Sequence, residues 1–112
     1  MDAKLPHGSQ AIISLRKLTE YLLSESHPVG GSKAAFFRSY GFTEANVGLL
    51  ENGLRMIARE KSIVEVVSSA HGTKYVIDGR LETPLGGSAT VRTIWIIDRG
   101  QEVPRFVTAY PQ

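Results

Sequence analysis

The spacing of hydrophobic residues changes near residue 62 of this 112-residue chain. Before that point, apolar residues recur every three or four positions, which is typical of amphipathic helices. After it, β-branched and aromatic residues dominate, and short turn sequences separate them, which is typical of strands. The pattern predicts a single domain over residues 1–112, with a helical half, 1–62, and a β-meander half, 63–112.

Three helices are predicted in the first half, after an extended segment over residues 1–13. We expect these helices at 15–23, 33–40 and 44–60, with Ser14, Ser32 and Thr43 as their N-caps and Gly41 ending the second. Apolar spacing predicts the buried faces, which are Leu15, Leu18 and Leu22 in the first helix and Val47, Leu50, Leu54, Ile57 and Ala58 in the third. Gly48 and Gly53 weaken the third helix, so we expect close packing against them.

Four strands are predicted in the second half, at 63–69, 73–82, 89–98 and 105–109. In the third run, ATVRTIWIID, alternation places Val91, Thr93, Trp95 and Ile97 on one side and Arg92, Ile94 and Ile96 on the other. The whole pattern predicts an α+β fold in which the N-terminal helices pack on one face of a four-stranded antiparallel β-sheet.

Composition excludes several classes of protein. Hydrophobic residues make up 42% of the chain and charged residues 21%, close to the averages of globular proteins. The chain has no apolar run long enough to span a bilayer, and its first residues, MDAKLPHGSQ, lack the apolar core of a signal peptide. Together with the absence of cysteine, these features predict a cytoplasmic protein that contacts no membrane.

Net charge and the absence of known motifs exclude further classes of function. The net charge is +2 and no block of like charges exists, so a non-specific nucleic-acid-binding tail is not expected. The sequence lacks phosphate-binding loops and the dinucleotide, metalloprotease and hydrolase motifs. His7, His27 and His71 lack the spacing of metal ligands. We therefore expect neither a cofactor nor a metal.

His27 and Lys33 form the first candidate group, at the start of the second predicted helix. His27 lies in a loop rich in proline and glycine, and its unperturbed pKa of about 6.5 suits it to proton transfer near neutral pH. The N-terminus of a helix attracts anions, and Lys33 in its first turn would neutralise one there. The alternative is that His27 belongs to an ordinary turn and that Lys33 is an exposed side chain.

Cationic and hydroxyl side chains of the last two strands form the second candidate group. If these strands pair through the 98–103 loop, the side chains that lie near one another are Arg92, Thr93, Arg105 and Thr108, with Tyr110 at the strand end. Arginine binds phosphate through two parallel hydrogen bonds, and hydroxyl groups donate further ones. The alternative is that the arginines keep an edge strand soluble and the threonines only favour β-structure.

Three stretches resemble a family of small bacterial domains of unknown function: KLTEYLLSESHPVGGSKAAFF-x₄-GFT at 17–43, HGTKYVIDG at 71–79 and VRTIWIIDRGQEVPRFVTAYP at 91–111. The most specific parts are the run H-P-x-G-x-x-K-A-x-F-F and the ending P-R-F-V-T-A-Y-P. Members of that family occur as stand-alone proteins and also near or within polymorphic-toxin and phage-type loci.

The order of helices followed by a four-stranded sheet with a Thr-Ala-Tyr strand is also similar to the barnase–EndoU–colicin–RelE ribonuclease superfamily. There, a histidine or basic residue of the helical half faces Arg, Thr, Ser or Tyr residues of the sheet. The similarity implies a catalytic set with two parts, which are His27 and Lys33 from the helical half and Arg92, Arg105, Thr108 and Tyr110 from the sheet.

Three functions stay open at this point. The first is a metal-independent endoribonuclease of the toxin type, which needs only a base, an acid and cations to make a 2′,3′-cyclic phosphate by attack of the RNA 2′-OH. The second is a non-catalytic protein-binding module, such as an antitoxin, immunity or adaptor protein. The third recognises a phosphorylated ligand without turnover. The candidate partners are accordingly RNA, a protein inhibitor or a second copy of the chain.

Overall fold

Four antiparallel strands form a single sheet whose spatial order follows the chain. The structure, a computed structural model, describes residues 3–24 and 31–112, with the backbone alone at 31 and 32. The strands are β1 (Ile63–Ser69), β2 (Gly72–Glu82), β3 (Ser88–Asp98) and β4 (Arg105–Pro111). The helices pack on one face of this sheet around a shared core, so the predicted α+β fold is confirmed.

The described helical segments combine α-helices with short turns of other helical types. The α-helices are α1 (Leu15–Lys17), α2 (Gly31–Ser39) and α3 (Val47–Glu60). A π-helical turn, Leu18–Leu22, continues α1, and 3-10 turns cover Gly8–Gln10 and Glu44–Asn46. Since α2 begins at Gly31, Ser32 lies within its first turn and is not the N-cap that the sequence predicted.

The π-helical turn changes which residues of the first helix are buried. A hydrogen bond from the Leu23 N–H to the Leu18 carbonyl, 2.8 Å long, closes its wider winding. Such a turn inserts an extra residue, which moves the positions before it off the face that the later positions define. Leu18 and Leu22 are therefore buried as predicted, whereas Leu15 is 54% exposed and its predicted burial is wrong.

The buried face of α3 matches the prediction except at Val47, which is half-buried against the core, and glycines let the helix approach the sheet. Its buried residues are Leu50, Leu54, Ile57 and Ala58. A Cβ at Gly53 would lie 2.7 Å from Leu81 Cδ2. A Cβ at Gly79 in β2 would lie 2.7 Å from Ile57 Cγ1. The close packing expected at Gly53 is thus confirmed, whereas Gly48 faces open space and the same expectation for it is wrong.

β4 is two residues longer than the sequence predicted, because Tyr110 and Pro111 continue its pairing with β3. Thr108 lies opposite Ile94, and Tyr110 lies opposite Arg92. Residues opposite each other in an antiparallel ladder project from the same face of the sheet. Arg92, Thr108 and Tyr110 therefore share the face that is turned away from α3. Because β4 is an edge strand, side chains of α2 and the π-helical turn still reach Thr108 and Tyr110 there.

The N-terminal segment contacts both edges of the sheet. At the β4 edge, Ile12 forms a parallel bridge with Arg105, and the Phe106 N–H donates to the Ile12 carbonyl at 2.9 Å. At the β1 edge, the Ile63 N–H donates to the Ala3 carbonyl at 2.8 Å. Residues 3–12 thereby cover one part of each edge.

Candidate functional site

Three polar side chains meet where the π-helical turn, α2 and β4 come together. Lys33 Nζ donates a hydrogen bond to the Tyr21 hydroxyl at 2.8 Å, and the hydroxyl oxygens of Tyr21 and Thr108 are 3.1 Å apart. All three side chains are half-buried. Each belongs to a different element, so the packing of α2 and the π-helical turn against the sheet positions them. We call Lys33, Tyr21 and Thr108 the junction cluster.

Positive charge surrounds the phenol of the junction cluster. The Lys33 ammonium lies 5.3 Å from the centre of the Tyr21 ring and 6.0 Å from that of Tyr110. A second ammonium, that of Lys17, lies 5.2 Å from the Tyr21 ring. Burial raises the pKa of Tyr21, but its hydrogen bonds with Lys33 and Thr108 and the two ammonium charges outweigh burial, so this pKa lies below the usual 10.0. A phenol in this setting gives up its proton more readily.

Arg92 shares its face of the sheet with Tyr110, but its guanidinium forms an ion pair with a carboxylate. Its Nε and Nη2 atoms donate to the two carboxylate oxygens of Asp78 at 2.8 and 3.0 Å. The hydrogen bond and charge of Arg92 hold the pKa of Asp78 below its usual 3.8 despite partial burial, and Asp78 in turn raises the pKa of Arg92. This two-pronged ion pair uses the geometry by which arginine would bind phosphate.

At the other end of the β3–β4 ladder, Arg105 also forms an ion pair with a carboxylate. Its Nε and Nη2 atoms donate to the carboxylate of Asp98 at 2.7 and 3.0 Å. The hydrogen bond from Arg105 lowers the pKa of Asp98. Arg105 pairs with Ile96, whereas Arg92 pairs with Tyr110, so the two arginines stand at opposite ends of the β3–β4 pairing. The structure does not bring them together.

Thr93 belongs to the core and not to the polar group in which the sequence placed it. Its side chain is fully buried, and its hydroxyl donates to the Ile77 carbonyl at 2.7 Å. The same hydroxyl accepts a hydrogen bond from Trp95 Nε1 at 2.8 Å. Alternation along β3 places Thr93 and Arg92 on opposite faces of the sheet, so they cannot bind one ligand together.

The structure gathers only part of the set that the sequence predicted. The residues that converge are Lys33, Thr108 and Tyr110. Arg92 lies beside Tyr110 in the neighbouring strand, and Arg105 lies at the far end of the ladder. His27 lies outside the described residues, in the segment of chain that joins the π-helical turn to α2.

Sequence reasoning missed Tyr21 and Lys17. Tyr21 lies next to a predicted buried position, Leu22, and was assigned neither to the buried face nor to a site. One signal was present, because Lys17 and Tyr21 are four residues apart and therefore meet on one helix face. The contact of Tyr21 with Thr108 joins residues that are distant in the sequence, and no local pattern predicts it.

Within the described ranges, neither a metal site nor a membrane-spanning helix is found. No group of three or more His, Asp or Glu side chains among these residues could hold a metal ion. None of the described helices is both long and apolar enough to cross a bilayer. A groove of about 860 Å³ is lined by α3 and the β2–β3 connection, including Leu49, Met56 and Gly86, but none of the predicted site residues lines it.

The ion pair between Asp78 and Arg92 gives a testable dependence of stability on pH. Since the folded state lowers the pKa of Asp78, the carboxylate stabilises the fold above the unfolded-state pKa of 3.8, and this contribution is lost as the pH falls through the lower folded-state pKa. We expect Asp78→Asn to lower the free energy of unfolding by up to about 1 kcal/mol at pH 6 and by much less at pH 2. Urea unfolding across this pH range measures the difference.

Glu82→Gln is the matched control for Asp78→Asn, because Glu82 is an exposed carboxylate in the same strand with no ion pair among the described residues. Its effect on stability should stay small from pH 6 to pH 2. An equal loss for Asp78→Asn at both ends of this range would contradict the assignment of that loss to the carboxylate charge.

Comparison with known proteins places the fold and the family. A chain of a contact-dependent growth inhibition toxin–immunity protein complex from Klebsiella pneumoniae 342 has the same fold, with a TM-score of 0.72 and 13% identity. The similarity covers 90% of this chain and 99% of that one. No curated protein matches the sequence. The family model described as a domain of unknown function, DUF6883, matches residues 4–112, so the chain belongs to that family.

Proposed function

We propose that the protein is a metal-independent endoribonuclease of the toxin type, acting on cytoplasmic RNA, with its reactive centre at the junction cluster. The observation that carries this proposal is the hydrogen-bonded chain from Lys33 through Tyr21 to Thr108. It places an ammonium group, a phenol of lowered pKa and a hydroxyl side by side. These groups can bind a phosphodiester and move protons around it.

The reaction requires a balanced movement of protons. The 2′-oxygen of one nucleotide forms a bond to the adjacent phosphorus, and the bond from phosphorus to the 5′-oxygen of the next nucleotide breaks. A base takes the proton of the 2′-OH, and an acid gives a proton to the departing 5′-oxygen. The products are a 2′,3′-cyclic phosphate and a 5′-hydroxyl, and the step needs no metal ion or cofactor.

Each residue of the proposed set has one role in this step. His27, carried by the segment that leads into α2, is the base. Tyr21 is the acid, and its contact with Lys33 can restore its proton. Lys33 also balances the negative charge that develops on the phosphate, while the hydroxyls of Thr108 and Tyr110 donate hydrogen bonds to its oxygens.

Arg92 and Arg105 can bind RNA only if phosphate displaces the carboxylates with which they are paired. Each guanidinium donates two hydrogen bonds to an aspartate, so a phosphate must replace Asp78 at Arg92 or Asp98 at Arg105. Arg92 is the better placed of the two because it pairs with Tyr110 in the ladder. In this proposal it binds a phosphate next to the one that is cleaved, and Arg105 binds a more distant one.

The solved structure with this fold is compatible with a toxin-type role and equally with an immunity-type role. The solved chain that shares the fold comes from a complex of a toxin with its immunity protein. The order of elements is also similar to the barnase–EndoU–colicin–RelE superfamily, in which the helical half and the sheet share the catalytic residues. The junction cluster is built from the same two halves, with Lys33 on a helix and Thr108 on the last strand.

The test is cleavage of single-stranded RNA by the purified protein in the presence of EDTA. We expect fragments with 2′,3′-cyclic phosphate ends, and we expect production of the protein in a bacterial host to arrest growth. Mass spectrometry of the fragments identifies their ends. Intact RNA after prolonged incubation with folded protein, or cleavage that EDTA abolishes, would contradict the proposal.

A second candidate function is a non-catalytic protein-binding module. It is favoured by the carboxylates of Asp78 and Asp98, because arginines that are already paired have little free capacity for phosphate. Under this function the protein would leave RNA intact, permit growth and still bind a protein partner.

A further inference from the structure

β1 is an edge strand with an apolar surface on both of its sides. The exposed fractions of Val64, Val66 and Val67 are 55%, 53% and 44%. Val66 pairs with Tyr75 and projects toward the helical layer, whereas Val67 pairs with Lys74 and projects away from it. Every residue of β1 after Ile63 is exposed, so along residues 64–69 both faces of the strand are open to solvent.

The two edges of the sheet are protected differently. The β4 edge is bridged by Ile12 and lies beside α2. At the β1 edge, the backbone contact that the described residues make furthest along the strand is at Ile63, whose N–H donates to the Ala3 carbonyl. Natural edge strands usually carry lysine or proline that blocks further pairing, but residues 64–69 read VEVVSS and contain neither.

The backbone of β1 offers unpaired hydrogen-bonding groups along this edge. Ser69 and Gly72 flank the two-residue turn to β2, so they exchange ladder hydrogen bonds with each other. By the alternation of an antiparallel ladder, the N–H groups of Val66 and Ser68 then point away from β2. No described strand lies on that side, so these groups can accept an additional strand.

Cations that lack ion-pair partners surround β1. Pairing or a backbone hydrogen bond fixes the position of three of them, which are Lys4 opposite Ser62, Lys74 opposite Val67 and Arg99 beside His71. The fourth, Lys61, stands two residues before the start of the strand. None of the four forms an ion pair within the described part of the chain, whereas six arginines elsewhere do. Glu65 is the only carboxylate on β1 itself.

We infer that β1 is the docking edge for an extended strand of an acidic protein partner, which adds a fifth strand to the sheet. Main-chain hydrogen bonds to Val66 and Ser68 give affinity, and the valines pack against alternate side chains of the added strand. Acidic residues that flank the added strand neutralise Lys4, Lys61, Lys74 and Arg99. These charges therefore make the edge selective for strands with acidic flanking residues.

A second copy of this chain does not fit the same edge. Antiparallel pairing of β1 with itself would bring the unpaired cations of both copies to one seam. Like charges placed together across an interface oppose association. An acidic strand from another protein removes that repulsion and is therefore the occupant that the charges favour.

This inference does not depend on ribonuclease activity. It names the protein-binding surface that either proposed function requires, because a toxin needs an inhibitor and a binding module needs a target. Binding at β1 and cleavage of RNA are measured in separate assays. A negative result for one proposal therefore does not decide the other.

The test uses a cyclised β-hairpin peptide whose outer strand alternates valine with threonine and carries glutamate at both ends. Cyclisation organises the strand in advance and lowers the entropic cost of binding. We expect its addition to shift the amide resonances of Val66 and Ser68 and to slow their hydrogen exchange. A hairpin with lysine in place of glutamate should bind at least about tenfold more weakly at low salt.

Variants of β1 locate the binding edge. Val66→Pro removes an outward N–H without breaking a bond to β2, so it should abolish binding of the glutamate hairpin while the thermal unfolding transition remains. Val66→Thr keeps both the N–H and the strand and should bind normally. Lys74→Ala should weaken binding several-fold, whereas Arg16→Ala, which removes the same charge from α1, should not.

Several outcomes would overturn this inference. They are unchanged β1 amides at millimolar hairpin, equal affinity for the lysine and glutamate hairpins, and normal binding by Val66→Pro. Protection of the same amides by a single-stranded RNA, or by dimerisation of the chain alone, would assign the edge to a different occupant and would equally overturn it.

Discussion

Replacing His27 by alanine, or Lys33 by methionine, is expected to slow RNA cleavage by about 10²–10⁴-fold for each change. In the proposed reaction, His27 takes the proton of the 2′-OH, so its loss leaves that step to water. Lys33 donates to the Tyr21 hydroxyl at 2.8 Å, and its loss removes both a balancing charge and the group that lowers the pKa of the phenol. Rates of cleavage of a labelled RNA under single-turnover conditions measure both effects.

Lys61→Met is the matched control for Lys33→Met, because it removes an exposed lysine outside the junction cluster. It should cleave RNA at nearly the wild-type rate. Tyr21→Phe separates chemistry from structure, because it keeps the ring and removes only the hydroxyl; it should lose activity and alter the alkaline side of the pH–rate profile. Equal cleavage by wild type and His27→Ala would mean that a contaminant is active or that another residue is the base.

The largest expected effect on stability is at Trp95, where replacement by alanine should lower the free energy of unfolding by about 3–5 kcal/mol. Trp95 is fully buried, and its ring lies edge-on to Phe106 with ring centres 5.3 Å apart. Its indole N–H donates to Thr93, which donates onward to the Ile77 carbonyl. The tryptophan therefore holds together both the apolar and the polar contacts of the central strands.

Thr93→Val tests the polar part of this arrangement alone. It preserves the shape of the side chain but leaves the buried indole N–H without its acceptor, which should cost about 1–3 kcal/mol. Thr90→Val makes the same change at an exposed position of β3 and should stay within about 0.5 kcal/mol of wild type. Urea unfolding of both variants measures these values, and an equal effect at the two positions would contradict the assigned role of the Thr93 hydroxyl.

The layout of the fold could be predicted from the sequence because its signals are local. Alternation in ATVRTIWIID placed Trp95 and Arg92 on opposite faces, and the turn residues placed every strand to within two residues. The errors arose where a local signal was missing or ambiguous. The π-helical turn exposed Leu15, and α2 began before the expected cap at Ser32.

The candidate site was only partly predictable, because it depends on contacts between distant residues. The sequence singled out Lys33, Thr108 and Tyr110 by residue type, and these three converge. The sequence did not predict that Arg92 and Arg105 would form ion pairs with Asp78 and Asp98. Which carboxylate lies beside an arginine depends on the register of strand pairing, and the sequence pattern does not fix that register. Tyr21 was missed for the same reason.

The N-terminal segment also has a consequence for how the chain folds. Adjacent strands of the meander are joined by short connections and can pair early, whereas Ala3 must reach Ile63 and Ile12 must reach Phe106 across most of the chain. Closing loops of that length costs more entropy, so these contacts form after the hairpins exist. Until they form, the parts of both outer strands that these residues cover stay exposed to other chains, so late docking of residues 3–12 lengthens the time in which the folding protein is prone to aggregate.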